Sequence, residues 1–119
     1  MKHYAGKALP GEEKRTFSLD YREIVEVIGP VIAGTLNLFF EDDLELGPPP
    51  HFTEHYEFWP CTLATEGMIR RDEPGYPGYV IRVLGENFPP NFAEVLSPIH
   101  LRTALKKTNF PAFPIEITL

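Results

Sequence analysis

Thr35 and Asn37 carry the side chains in this sequence that are best suited to metal-assisted chemistry. They lie in the segment 34–38, GTLNL in one-letter code. Residues two apart in an extended chain face the same side, so a hydroxyl and an amide carbonyl would be neighbours. Both are hard, neutral oxygen donors, which suit a magnesium ion that takes its other oxygens from water and substrate phosphates. The pattern predicts a magnesium-nucleotide site; the alternative is a half-buried strand whose polar side faces water.

Short apolar runs separated by proline and glycine indicate the elements that would position these side chains. The chain has 13 prolines and 9 glycines among its 119 residues, and their spread between apolar runs is typical of short strands joined by turns. Six strands in one small domain favour a mainly β fold closed into a barrel. The predicted strands cover residues 4–9, 35–40, 55–63, 78–84, 93–96 and 113–118.

Two short helices are also predicted. Asp20 is suited to the N-cap of the first, and Glu23 stands at the capping-box position before apolar residues at helical spacing that extend to Ile28. The second is predicted to begin at Ser97 and Pro98, with serine as N-cap and proline at the first helical position, and to end near residue 105 or 106. Backbone N–H groups at its start could receive a phosphate.

Composition and charge restrict the class of partner. The 17 acidic and 11 basic side chains give a net charge of -6, which disfavours nucleic acid as a partner because polyanion binding requires phosphate neutralisation. A single nucleotide is compatible, since a few amides, a metal and local cations suffice. No apolar run approaches the roughly 20 residues of a membrane span, so no membrane partner is expected. No pattern predicts an oligomeric state.

Length and cysteine content indicate the number of domains and the cellular location. A chain of 119 residues predicts one domain over residues 1–119. Cys61 is the only cysteine, and the N-terminal residues lack the apolar core of a secretory signal, so we expect a cytoplasmic location.

A zinc site made from His51, His55 and Cys61 is disfavoured, because nearby prolines argue against the helix that would align the histidines. The loop 41–50 is expected to be exposed, and the aromatic run 56–59 to fill the core.

Several motifs taken together resemble the archaeal CTP-dependent riboflavin kinases. The similarity begins in segment 6–12 (GKALPGE), continues through 17–19 and the predicted helix, and includes GTLNL at 34–38. The segments 78–81 (GYVI) and 94–102 (EVLSPIHLR) are similar to the family's late strand, its glutamate and its proline-led helix. Each match is short, and their shared order along nearly the whole chain is the specific feature.

The resemblance implies a compact six-stranded cradle-loop (RIFT-like) β-barrel with one or two short helices. It implies transfer of the gamma-phosphate of CTP to the ribityl hydroxyl of riboflavin, which yields FMN and CDP. By position, Thr35 and Asn37 would hold Mg2+, while Glu94 would be the catalytic residue that contacts the flavin. Glu86 falls at the family's other flavin-binding position. The nucleotide-binding residues implied in the same way are Gly11, Lys14, Pro98, Ile99, His100 and Leu101.

The chain also departs from the family pattern at three places. The first loop holds one glycine, Gly11, where the family is glycine-rich; Pro10 removes an amide donor and the neighbouring acids repel phosphate. His100 stands where the family can carry lysine, and the carboxylate of Glu86 cannot donate a hydrogen bond when ionised. These differences leave a second function open, a noncatalytic flavin- or nucleotide-binding module on the same barrel.

Overall fold

The computed structural model of this chain describes residues 2–9, 19–32, 35–101, 104 and 113–119. Seven strands and two short helices lie wholly within these ranges, and Leu101 and Ala104 are also helical. In chain order the elements are β1 (His3–Leu9), α1 (Tyr21–Ile28), β2 (Leu36–Phe40), β3 (His51–Phe52), β4 (Tyr56–Ala64), α2 (Glu66–Arg70), β5 (Tyr76–Val83), β6 (Phe92–Leu96) and β7 (Phe113–Thr118).

Six antiparallel strands close into a barrel. Their order around the ring is β4, β5, β6, β2, β1 and β7, and β7 pairs back onto β4. Among the described strands, the two-residue β3 pairs with β4 alone and lies outside the ring. The prediction of a mainly β, six-stranded barrel with short helices is confirmed. Each predicted strand corresponds to a ring strand, with ends that differ by at most two residues.

Alternation along the strands gives the barrel an apolar interior. Leu38 lies opposite Ala93 and Val80 lies opposite Val95 in the strand registers, and all four belong to one cluster of buried side chains. Cross-strand pairs of this kind hold neighbouring strands in register. The residues between them along each strand, such as Asn37, therefore face the outside of the barrel.

A second apolar cluster lies on the outside, where α1 covers the sheet. Ile24 of α1 is fully buried there together with strand residues that include Ile81. The Asp20 carboxylate accepts the backbone N–H of Glu23 at 3.2 Å, which confirms the predicted N-cap. Gly29 follows the helix with a φ of 85°, a left-handed conformation that glycine adopts without strain. Truncation of Ile24 to alanine should cost about 2–5 kcal/mol of stability.

The aromatic run of β4 is divided between the two faces of the sheet. Tyr56 and Phe58 pack in the outer cluster under α1, whereas Trp59 is buried in the interior. The prediction that these rings fill the core is confirmed. The indole N–H of Trp59 donates to the carbonyl of Gly47 at 3.2 Å, which fastens the loop 41–50 to the barrel. Cys61 also lies in the interior, and burial raises the pKa of its thiol to about 12.

The predicted start of the second helix, at Ser97 and Pro98, was wrong. Pro98 and Ile99 form a bend, and helical geometry begins at Leu101. The reason is the buried hydroxyl of Ser97, which accepts the N–H of Ile99 at 3.1 Å and donates to the carbonyl of Pro77 at 2.7 Å. These bonds hold the chain against β5 before it can turn into a helix. The predicted end at 105 or 106 lies outside the described residues.

Two short elements, β3 and α2, were not predicted. The hydroxyl of Thr65 caps α2 by accepting the N–H of Met68 at 3.3 Å, and the Met68 side chain is buried in the interior cluster. Tertiary burial thus stabilises a five-residue helix whose sequence contains Gly67, a poor helix former. In the parts of the chain that are described, no helix has the length and apolarity needed to cross a membrane.

Candidate functional site

Three predicted site residues meet on the outer face of the barrel. Asn37 of β2 lies directly opposite Glu94 of β6 in the strand register. Thr35 immediately precedes β2, and its hydroxyl donates to Glu94 Oε2 at 3.3 Å. The antiparallel pairing of β2 with β6 therefore brings together the two residues predicted to bind magnesium and the residue predicted to be catalytic.

Glu94 is buried although it faces outward. Its side chain is only 4% exposed, because Ile81 of β5 lies opposite it and belongs to the apolar cluster under α1. The segment after α1 also crosses this region, since the N–H of Ile32 donates to the carbonyl of Ser97 at 2.8 Å. Electrostatic interactions are stronger at such a site than in water, because the local dielectric constant is lower.

The amide oxygen of Asn37 has unused hydrogen-bonding capacity. Asn37 Oδ1 is buried and has no hydrogen-bond partner within the described part of the chain. A buried acceptor left in this state costs about 1–3 kcal/mol, and such atoms are rare in folded proteins. The arrangement does not favour stability. It leaves an oxygen ready for a ligand.

Arg82 is a site residue that the sequence interpretation missed. Its Nη2 donates to the carbonyl of Phe92 at 2.5 Å, while its Nη1 is buried without a partner among the described residues. Burial lowers the pKa of the guanidinium, and the attraction of the Glu94 carboxylate raises it. The signal in the sequence was a lone cation in the apolar run 78–84. Its proximity to Glu94 depends on the pairing of β5 with β6.

The donor set fits a magnesium ion that is completed by substrate oxygens. The hydroxyl of Thr35 and the amide oxygen of Asn37 are neutral ligands of the type magnesium accepts, and no described residue is bonded to Asn37 Oδ1. Among the described residues, no three or more histidine, cysteine or acidic side chains lie close enough together to hold a metal ion. The two residues would therefore leave most coordination positions to water and phosphate.

The predicted nucleotide-binding residues fall into two groups. Gly11 and Lys14 lie outside the described residues. The second group directly follows β6, the strand that carries Glu94, and its members differ in exposure. Pro98 and His100 are exposed, Ile99 is half-buried and Leu101 is buried.

Backbone bonding limits which of these amides a phosphate could reach. The N–H of Ile99 donates to the hydroxyl of Ser97 at 3.1 Å, so this donor is engaged within the protein. The carbonyl of His100 accepts the N–H of Ala104 at 3.0 Å in the helical turn. Any phosphate contact through a backbone N–H of this segment is therefore expected beyond Ile99.

The two predicted flavin-binding glutamates occupy different environments. Glu86 lies in the loop between β5 and β6, where its N–H donates to the carbonyl of Val83 at 3.2 Å and its side chain is exposed. Glu94 is buried on β6. A ligand that contacted both would have to extend from the barrel wall to this loop.

Comparison with known proteins adds no family to this geometry. No protein-family model matches the chain, and no curated protein matches it. The resemblance to riboflavin kinases therefore stays a prediction from the residues. The cluster of Thr35, Asn37 and Glu94 is an observation made independently of that resemblance.

Proposed function

We propose that this chain is a riboflavin kinase-like phosphotransferase that moves the gamma-phosphate of CTP to the ribityl hydroxyl of riboflavin. The observation that carries the proposal is the meeting of Thr35, Asn37 and Glu94, with Asn37 Oδ1 buried and without a partner in the described part of the chain. This arrangement provides neutral oxygen ligands beside a buried carboxylate. Phosphoryl transfer requires these two features, because positioning and charge neutralisation account for most of its catalysis.

Thr35 and Asn37 would hold Mg2+ through one oxygen each. Magnesium bound there supplies neutralisation of the negative charge between the beta- and gamma-phosphates. The protein itself fixes the positions of the two oxygens, since Asn37 lies on β2 and Thr35 immediately precedes that strand. The β2–β6 pairing sets their position relative to Glu94.

Glu94 positions the acceptor hydroxyl in this proposal. Its carboxylate accepts the hydrogen bond of the ribityl hydroxyl and takes the proton as the oxygen attacks the gamma-phosphorus. The new bond joins that oxygen to phosphorus, and the bond between the gamma-phosphorus and the bridging oxygen of CTP breaks. CDP leaves with the electron pair. The Glu94 carboxylate also raises the pKa of the Arg82 guanidinium, so a positive charge lies within electrostatic reach of Glu94.

A noncatalytic flavin- or nucleotide-binding module is the second candidate. It is favoured by the exposed carboxylate of Glu86 at a position where a hydrogen-bond donor is expected. The sequence of the first loop also favours this candidate, since Pro10 and the acids that follow Gly11 would weaken triphosphate binding. In this case the barrel would keep a ligand pocket without turnover.

Conversion of riboflavin to FMN is the experiment that separates the two. Purified protein is incubated with riboflavin and Mg2+ in the presence of CTP, ATP or no nucleotide, and the products are separated by chromatography. Thermal melting with riboflavin or FMN is measured in parallel. We expect FMN to form with CTP and not without nucleotide.

Each other outcome has a defined meaning. FMN formed with ATP in preference to CTP would keep the kinase and change its donor. No FMN together with a higher melting temperature in the presence of flavin would support the binding module. No product and no stabilisation would contradict both candidates.

A further inference from the structure

A cavity of about 490 Å³ lies beside the proposed site on the same outer face. It is bounded by β1, the end of β2, β7 and the short helix α2, and Phe39 forms part of its wall. Phe39 is two residues beyond Asn37 on β2, so both side chains point to the same side about 7 Å apart at the α-carbons. A volume of this size suits a small organic ligand. The cavity and the polar cluster are therefore neighbours on the outer side of β2.

Aromatic rings form a row at this end of the barrel. Phe39 lies opposite Phe92 in the register of β2 and β6, with ring centroids 4.8 Å apart. Phe92 stacks on Phe88 at 5.9 Å with an interplanar angle of 6°, and the Arg82 guanidinium lies 4.8 Å from the centroid of Phe88. Phe92 thus supports the ring of Phe39 from one side, while Phe39 remains 37% exposed. A supported and exposed ring is a preorganised surface for stacking.

The charges around the cavity decide which substrate part can enter it. Among the described residues, the lining holds the carboxylates of Glu41, Glu66 and Glu116 against the ammonium of Lys7. Glu66 pairs with Arg70 at 3.0 Å, so that cation is already engaged. A triphosphate would meet more negative than positive charge here. An uncharged planar ring would not incur this repulsion.

The geometry points to Phe39 as the stacking platform for the isoalloxazine ring of the acceptor, and to this cavity as the ring's binding site. This inference rests on the proposed function, because it assigns the place of the ring relative to Thr35, Asn37 and Glu94. The ribityl chain then runs along β2 from the ring towards Glu94. The spacing between Phe39 and Asn37 is comparable with the length of that chain.

Substitution of Phe39 tests the inference by binding and by spectroscopy. In equilibrium dialysis, Phe39→Ala should raise the Kd for riboflavin roughly tenfold, and Phe39→Tyr should bind as wild type does, because it keeps the ring. The KM for CTP should not change. Phe39→Trp should quench the fluorescence of bound riboflavin, since tryptophan in contact with an excited flavin transfers an electron to it.

Phe52 supplies a matched control for both readouts. It is 69% exposed on β3, which lies outside the ring of strands. Phe52→Ala should leave the Kd for riboflavin unchanged, and Phe52→Trp should not quench the bound flavin. Phe39→Leu serves as a second variant that keeps apolar volume without a ring, and its melting temperature reports on folding.

Failure of this inference can be told apart from failure of the proposed function. If wild-type protein binds riboflavin but Phe39→Ala and Phe39→Leu bind it equally well, and Phe39→Trp does not quench, the ring lies elsewhere and the function stands. If wild-type protein neither binds nor phosphorylates riboflavin, the proposed function and the inference are both overturned.

Discussion

Two glutamates of this protein, Glu94 and Glu23, show how differently a carboxylate can be used on one barrel. Glu23 on α1 is bonded at both oxygens. Its Oε1 contacts His55 Nδ1 at 2.7 Å, while its Oε2 accepts from the hydroxyl of Thr53 and from the N–H of His55. Around Glu94, in contrast, Asn37 Oδ1 and Arg82 Nη1 are buried without partners in the described part of the chain.

This difference distinguishes a structural polar cluster from a functional one. The Glu23 cluster connects α1 to the turn between β3 and β4, and its bonds are made within the protein. Such a cluster holds elements together. The cluster of Thr35, Asn37 and Glu94 leaves the buried Asn37 acceptor without a partner among the described residues, which costs stability and is expected where a ligand completes the bonding.

The largest effect is expected from Asn37→Ala. If the amide oxygen serves a metal ion and substrate, kcat/KM for riboflavin phosphorylation should fall roughly 100-fold. The melting temperature should not fall, because Asn37 Oδ1 has no partner to lose among the described residues and its unpaired burial itself costs stability. Steady-state kinetics and thermal melting check the two parts. Unchanged activity would remove Asn37 from the site.

Asn91→Ala is the matched control for Asn37→Ala. Asn91 Nδ2 donates to the carbonyl of Phe40 at 3.1 Å, so this asparagine has a structural partner. Its removal should cost about 1 kcal/mol of stability and leave catalysis nearly unchanged. The two asparagines should therefore show opposite patterns of activity and stability. Equal patterns would contradict the distinction between the two kinds of cluster.

Glu94→Gln should have the next largest effect. The amide keeps the shape of the side chain and an acceptor for the hydroxyl of Thr35, but it cannot take the proton of the acceptor. We expect kcat to fall roughly 10- to 100-fold, since phosphoryl transfer depends on positioning more than on base strength. A variant with wild-type kcat would show that Glu94 has only a structural role.

Glu23→Gln should affect stability and spare activity. Loss of the charge weakens the contacts with His55 and Thr53, which hold α1 against the β3–β4 turn. The melting temperature should decrease, whereas the phosphorylation rate should stay within about twofold of wild type because the site is remote. Thermal melting and the FMN assay measure these quantities side by side. A large loss of activity would mean that α1 is coupled to the site.

The smallest effect is the pH dependence of the Glu23 cluster. The bond to Glu23 raises the pKa of His55, so the stability that His55 contributes is complete below its unfolded pKa and is lost as pH rises through the folded value. The bond from Thr53 and the one from His55 lower the pKa of Glu23, so its contribution is complete above its unfolded pKa and is lost as pH falls through the folded value.

The melting difference between wild type and Glu23→Gln should therefore peak between the ordinary pKa values of glutamate and histidine. It should shrink on both sides of that window. The effect is small because the His55 side chain is 60% exposed and solvent screens the pair. Melting curves recorded across pH measure it. A difference that did not vary with pH would exclude the ion pair as its source.

The sequence was sufficient for the strands and for α1. Short apolar runs and the positions of proline and glycine located all six strands of the ring, and Asp20 marked the start of α1. These signals are local, since they depend on side-chain alternation and on backbone capping. The short elements β3 and α2 were missed because tertiary packing, such as the burial of Met68, stabilises them.

Only part of the candidate site could be predicted, because the sequence carries local signals and the rest of the site depends on tertiary structure. Thr35 and Asn37 are two apart in one extended segment, so the sequence alone could place them on one face. Arg82 was missed, and so was the support of Phe39 by Phe92, because both depend on how β6 pairs with its neighbours. A shift of one residue in that register would turn Glu94 into the barrel interior.

Local chemistry along the chain thus establishes which residues are strands, which face each side chain takes, and which oxygen donors stand beside each other. The closing of β7 onto β4, the bonding of Glu23 to a turn 32 residues away, and the cavity beside Phe39 required the folded barrel. The physical reason is that pairing between distant strands is set by the packing of the whole interior, which no short segment encodes.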